Sequence, residues 1–117
     1  MTTAREAFEA KKLAQKYGVV GKVAGRYVTA GYRVDVVTTS EEAPYHFTAV
    51  RKGEKLAVLV YYKSGKVPVE VVEGLAGKAK EEGFTPVLAL YGAGPKISEE
   101  VLGKARELGV SVRRVRG

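Results

Sequence analysis

The residues of this chain that can do chemistry are few. It holds one histidine, His46, no cysteine and no asparagine, with one glutamine and one methionine. Thiolate ligands, cysteine nucleophiles and disulfides are therefore excluded, and a single histidine leaves no serine-histidine-aspartate spacing to argue from and makes a structural zinc site untenable. What remains is His46 among tyrosines in Ala43-Pro44-Tyr45-His46, the run Tyr61-Tyr62-Lys63, and two carboxylates, Asp35 in the adjacent expected strand and Glu73 on the flank of the following expected helix. A neutral imidazole is suited to general-base work, and a lysine to holding a phosphate or a developing negative charge. Each residue also has a plain structural reading: a hydrogen-bonded strand histidine, a surface lysine before the Ser64-Gly65 turn, an outward Asp35 in an alternating strand, a solvated Glu73. Tyr91-Gly92-Ala93-Gly94 ahead of a helix reads as a turn, because Lys96 is not followed by Ser or Thr and the glycine spacing fits neither a P-loop nor a dinucleotide fingerprint.

The second chemical signal is charge. The formal net charge is +7 and the isoelectric point about 9.7. Positive charge concentrates in residues 1–33, 51–66 and the tail, while residues 34–50 and 67–109 are net negative. Basic segments around a near-neutral body suit a polyanion, since each neutralised phosphate releases a condensed counterion. Arg51, Lys52, Lys55 and Lys63, helped by Arg113, Arg114 and Arg116, are the residues expected to contact phosphates. Excess lysine with few heat-labile residues also fits a thermophilic source and simple solubility.

These side chains must be positioned by one domain, 1–117, with a hydrophobic fraction of 45% and 28% charged residues, as in ordinary globular chains. No apolar run approaches the roughly 20 residues that span a bilayer and no secretory segment opens the chain, so a cytoplasmic location and no membrane partner are expected. Residues 1–30 form the helical segment: residues 3–17 are strong helix formers, and Val20, Val23, Ala24, Tyr27 and Val28 make a one-faced helical stripe, with Gly18, Gly21 and Gly25 weakening it and a kink near Gly18. Residues 31–63 form a β-meander: a strand over about 32–39, then two strands split at Lys52-Gly53-Glu54. Residues 64–117 form a βαβ-type second half, with a helix from Pro68 to near Gly83, a continuous apolar strand in TPVLALYG, a Ser98-capped helix closed by Gly109, and a last strand VSVRRV. The order is α(α)βββαβαβ around a central mixed sheet, with no internal repeat.

An N-terminal helix, a meander and βαβ crossovers, together with Gly31-Tyr32-Arg33-Val34 opening the first strand and the pattern of residues 63–115, resemble the restriction-endonuclease-like superfamily, closest to Mrr-type restriction enzymes and archaeal Holliday junction resolvases. The resemblance implies a three-layer α/β sandwich. It also implies an active site of an Asp opening strand two and an acid-x-Lys triplet on strand three, which hold a divalent ion and steady the attacking water. Here Lys63 stands at the lysine, Tyr61 replaces the acid and His46, with Tyr45 as the alternative, replaces the aspartate, so the catalytic positions are His46, Tyr61 and Lys63 with the first two degenerate. No metal or other cofactor is then expected; Mg²⁺ enters only if Asp35 or Glu73 has taken over the carboxylate role beside Lys63. Three functions follow from this reading. The first is a degenerate nuclease-like domain that binds DNA or structured RNA through its backbone. The second is an active metal-dependent endonuclease with migrated carboxylates, or, through His46, metal-independent RNA cleavage like that of the splicing endonucleases. The third is a structural module whose N-terminal helices pair two copies into a homodimer.

Overall fold

The computed structural model describes residues 3–116. The first helix, α1 (Ala4–Thr29), starts with a capping box: the Glu6 amide donates to the Thr3 hydroxyl at 3.1 Å and the Thr3 amide to the Glu6 carboxylate at 2.9 Å. It is broken at Gly18, whose φ of 61° and ψ of −133° no other residue type adopts readily. The break reverses the chain, so α1 is a helical hairpin. Gly21 lies so close to the Leu13 carbonyl that a Cβ there would stand 1.9 Å from its oxygen, and Gly25 approaches Ala10. Gly21 and Gly25, which weaken the helix by propensity, are thus what lets the two arms touch.

The inner arm buries Val20, Val23, Ala24 and Val28, the stripe read from the sequence. It lies on one face of a five-stranded mixed sheet ordered β1-β2-β3-β5-β7. The strands β1 (Arg33–Val36), β2 (Phe47–Arg51) and β3 (Glu54–Tyr61) form an antiparallel meander. Lys52 and Gly53 make its second turn, both with positive φ, 43° and 84°, as a two-residue type I′ turn requires. β5 (Thr85–Tyr91) runs parallel to β3, and β7 (Ser111–Val115) runs parallel to β5. Helices α2 (Val69–Glu81) and α3 (Glu99–Glu107) cover the opposite face, so the sheet is the middle of three layers. Alternation along β3 separates two cores. Ala57 and Leu59 pack toward α2 and α3, Val58 and Val60 toward α1.

The α/β class and the mixed central sheet stand as the sequence implied. Two short strands, β4 (Gly65–Lys66) and β6 (Pro95–Lys96), were not expected; they pair in parallel as a second small sheet. They correct the expectation that the chain has no internal repeat. The unit β3-β4-α2 recurs as β5-β6-α3, with Tyr61, Lys66, Val67, Glu70 and Val71 matched thirty positions on by Tyr91, Lys96, Ile97, Glu100 and Val101. The repeat hides in the sequence because α3 has 9 residues against the 13 of α2, which breaks the register, and because the loops diverge into Tyr62-Lys63-Ser64 and Gly92-Ala93-Gly94. Glycine at 94 suits the stacking of those loops: a Cβ there would stand 3.0 Å from the Ser64 hydroxyl.

Candidate functional site

Where β3 ends, the loop over residues 41–44 and the start of α2 enclose a cleft of about 340 Å³. Tyr61, the last residue of β3, and Tyr62 and Lys63, which follow it, all line it. The acids in this cleft are not the ones the sequence suggested. Lys63 pairs with Glu41 at 3.4 Å, both side chains about half exposed, and Glu70 lines the opposite wall. Burial first, and then the Glu41 carboxylate, raise the Tyr62 hydroxyl pKa, with Lys63 opposing.

His46 is buried, 1% exposed, and takes no part in the cleft surface. Its Nδ1 accepts the Val60 amide at 3.0 Å, and its Nε2 lies 2.8 Å from the Ser40 carbonyl, to which it donates in the tautomer that this pairing requires. Its own amide donates to the Val58 carbonyl, and its carbonyl accepts from Val37 and Thr38. The imidazole therefore substitutes for a strand: it closes the β3 ladder where β2 has already turned away, and ties down the loop that carries Glu41. Desolvation holds its pKa below the ordinary value, against the smaller opposing effect of the Ser40 carbonyl. With both ring nitrogens engaged inside the protein, neither is presented to a substrate.

Asp35 and Glu73 do not join Lys63. Asp35 is opposite Thr48, and Thr48 opposite Ala57, so Asp35 is two strands from β3 and level with Ala57. Lys63 is six residues further along, roughly 20 Å at 3.3 Å per residue, beyond the reach of both side chains. Glu73 is exposed on α2 and absent from the cleft wall, whereas Glu70, in the first turn, faces it. Glu70, Val71 and Gly74 share the helix flank that lines the cleft and Glu73 stands on the other flank, so angle about the helix axis decides access. Among the described residues no group of three His, Asp or Glu side chains is placed to hold a metal ion. The cleft carboxylates Glu41, Glu42 and Glu70 form no such group, and Glu41 is already paired with Lys63, so the near-octahedral oxygen array that Mg²⁺ requires is not assembled there.

The expected phosphate contacts divide among several places. Lys63 belongs to the cleft just described. Lys52 is in the β2–β3 turn, and Lys55, by alternation with Leu56, projects from the α2 side of the sheet. Arg114 is a brace: it donates to the Gly92 carbonyl at 2.6 Å and the Pro95 carbonyl at 2.8 Å, fixing the β5–β6 loop. Arg51, Arg113 and Arg116 converge instead on the α1 side. There two adjoining hollows, about 460 and 510 Å³, run between α1 and the β5–β7 edge and meet at Arg26. The first is lined by Lys11, Lys22, Arg26 and Arg116, with no acid among the described residues. The second is lined by Arg26, Arg51, Arg113 and Arg114 with one acid among the described residues, Glu54, whose charge is engaged by Tyr32 at 2.6 Å and Arg51 at 3.4 Å. That tyrosine hydrogen bond, followed by Arg51, keeps the Glu54 pKa below its usual value. Arg113 stands close to the Tyr27 hydroxyl, lowering a pKa that burial raises.

Among the described residues, Lys11, Lys22, Arg26, Arg113 and Arg116 make no ion pair. Arg26 does donate to the Arg116 carbonyl at 3.1 Å, which links α1 to the end of β7. Lys11, Lys22 and Arg26 were missed as site residues because their segment was read for its apolar stripe. The signal was present in the spacing: Lys22 and Arg26 stand four apart on one helix flank, and the glycine contacts bring Lys11 on the other arm beside them.

No protein-family model matches the chain, and no curated protein matches it. Among solved structures the chain is similar to Pyrococcus furiosus SfsA in complex with Ca²⁺, at 14% identity and a TM-score of 0.49, over 71% of this chain and 48% of that one. The chain thus spans about half the length of that protein.

Proposed function

We propose that this domain is a catalytically degenerate relative of the restriction-endonuclease-like proteins that binds the sugar-phosphate backbone of DNA or RNA. The observation that carries the reading is the pair of adjoining hollows beside α1, where five cationic side chains without carboxylate partners among the described residues stand with one compensated acid. Phosphates are the chemistry that such a surface recognises, as charge-assisted hydrogen bonds from arginine and point charges from lysine. The antiparallel meander followed by two parallel strands agrees with the implied ancestry. The residues at the ancestral metal positions support degeneracy: His46 is turned inward and Tyr61 offers no carboxylate. The interface is then not the cleft of Lys63 but the opposite face of the sheet.

Charge reversal tests this. Arg26→Glu and Arg113→Glu should each weaken binding of a labelled oligonucleotide about ten-fold or more at low salt, while Lys63→Glu leaves it within about two-fold. A larger loss from Lys63→Glu than from the arginine variants would move the interface to the cleft and refute the assignment.

A further inference from the structure

We infer that the strand taken by the α1 hollows is single, a reading that rests on the backbone-binding proposal above. Two features favour it. The cationic side chains line recesses, which admit unpaired nucleotides but which a duplex would bridge. Aromatic rings also interleave with them. Tyr91 lines the first hollow and Tyr27 and Tyr32 the second, and the Arg51 guanidinium lies over the Tyr32 ring, 4.2 Å from its centroid. A cationic groove with aromatic or guanidinium planes at intervals is the usual way to hold a single strand without reading its sequence, because every base has a stacking face.

The geometry gives the arrangement. Tyr91 and Val87 mark the two hollows on β5, four residues or roughly 13 Å apart at 3.3 Å per residue. Arg26, shared by both hollows, sits between as the central phosphate contact, with Arg116 on one side and Arg113 on the other. Tyr91 stacks a base at one end. At the other, the Arg51 plane, already backed by Tyr32 and anchored to the Ala30 carbonyl at 2.7 Å, offers its outer face to a second.

The test is fluorescence anisotropy with a labelled single-stranded DNA of about 12 nucleotides and the same sequence as a duplex, with wild-type protein, Tyr91→Phe, Tyr91→Leu and Arg113→Glu. Tyr91 packs partly on the α1-side core, so Tyr91→Leu keeps apolar bulk there, and a thermal melt verifies each fold. The expected result is tighter binding of the single strand than of the duplex. Tyr91→Leu should weaken the single strand about ten-fold and leave the duplex unchanged, Tyr91→Phe should bind like wild type, and Arg113→Glu should weaken both. Duplex binding as tight as single-strand binding, or a Tyr91→Leu variant indistinguishable from wild type on the single strand, overturns the single-strand inference alone. No binding of either form overturns the backbone-binding proposal with it.

Discussion

Replacing His46 by leucine isolates what the imidazole does. Leucine keeps most of the buried volume, so the main loss is the acceptor for the Val60 amide, which lies inside the sheet with no other partner. An orphaned buried amide costs about 1–3 kcal/mol. For a chain of 117 residues that lowers Tm by roughly 4–12 °C at pH 8. The pH dependence is more specific. The folded pKa of His46 is depressed below the unfolded value of about 6.5, so unfolding takes up a proton in acid. The wild-type advantage is therefore complete above about pH 6.5 and is lost as pH falls through the folded pKa, while the leucine variant has nothing to titrate there. Thermal melts of both proteins from pH 8 to pH 5 should show the gap widest at pH 8 and closing in acid. A leucine variant as stable as wild type at pH 8, or a gap that does not change with pH, would refute the bridging role.

Gly21→Ala should destabilise by about 3 kcal/mol, since its Cβ would stand 1.9 Å from the Leu13 carbonyl oxygen and the hairpin arms would have to part. Gly25→Ala, with contacts of 3.1 Å or more, should be near neutral because the gain in helix propensity offsets the crowding. Denaturant melts separate the two. In a double-mutant cycle, Lys63→Ala with Glu41→Ala should yield a coupling under about 1 kcal/mol, as for other half-exposed pairs; a larger value would mean that the cleft is a tighter electrostatic site than its exposure implies.

Much of the frame was legible before any coordinates. The period-3.6 stripe at Val20, Val23, Ala24 and Val28, the continuous run in TPVLALYG and the turn at Lys52-Gly53 each depend on a local rule, and each element stands where that rule put it. The site was less legible, for reasons of geometry. Glu41 and Lys63 are brought together by a loop whose path is set by a buried histidine, and no spacing encodes that path. Glu73 was preferred to Glu70 because it stands beside the buried face of the helix, but the cleft lies along the other flank, that of Glu70 and Gly74. Asp35 is in a neighbouring segment of sequence yet level with Ala57 in the middle of β3, well short of Lys63. Among the basic residues, those on β7 are separated by alternation, Arg113 to the α1 side and Arg114 to the β5–β6 loop. Arg26, Lys11 and Lys22 join the first of these through a hairpin reversal at a single glycine.

The salt dependence of nucleic-acid binding tests the central claim most directly. If Arg26, Arg113, Arg116 and the two lysines beside them neutralise phosphates, log K for a single strand should fall linearly with log salt at a slope of about −3 to −4, roughly −0.7 per contact. Arg113→Glu should make that slope shallower by at least about 0.7. A slope near zero, or one unchanged by Arg113→Glu, would contradict the account.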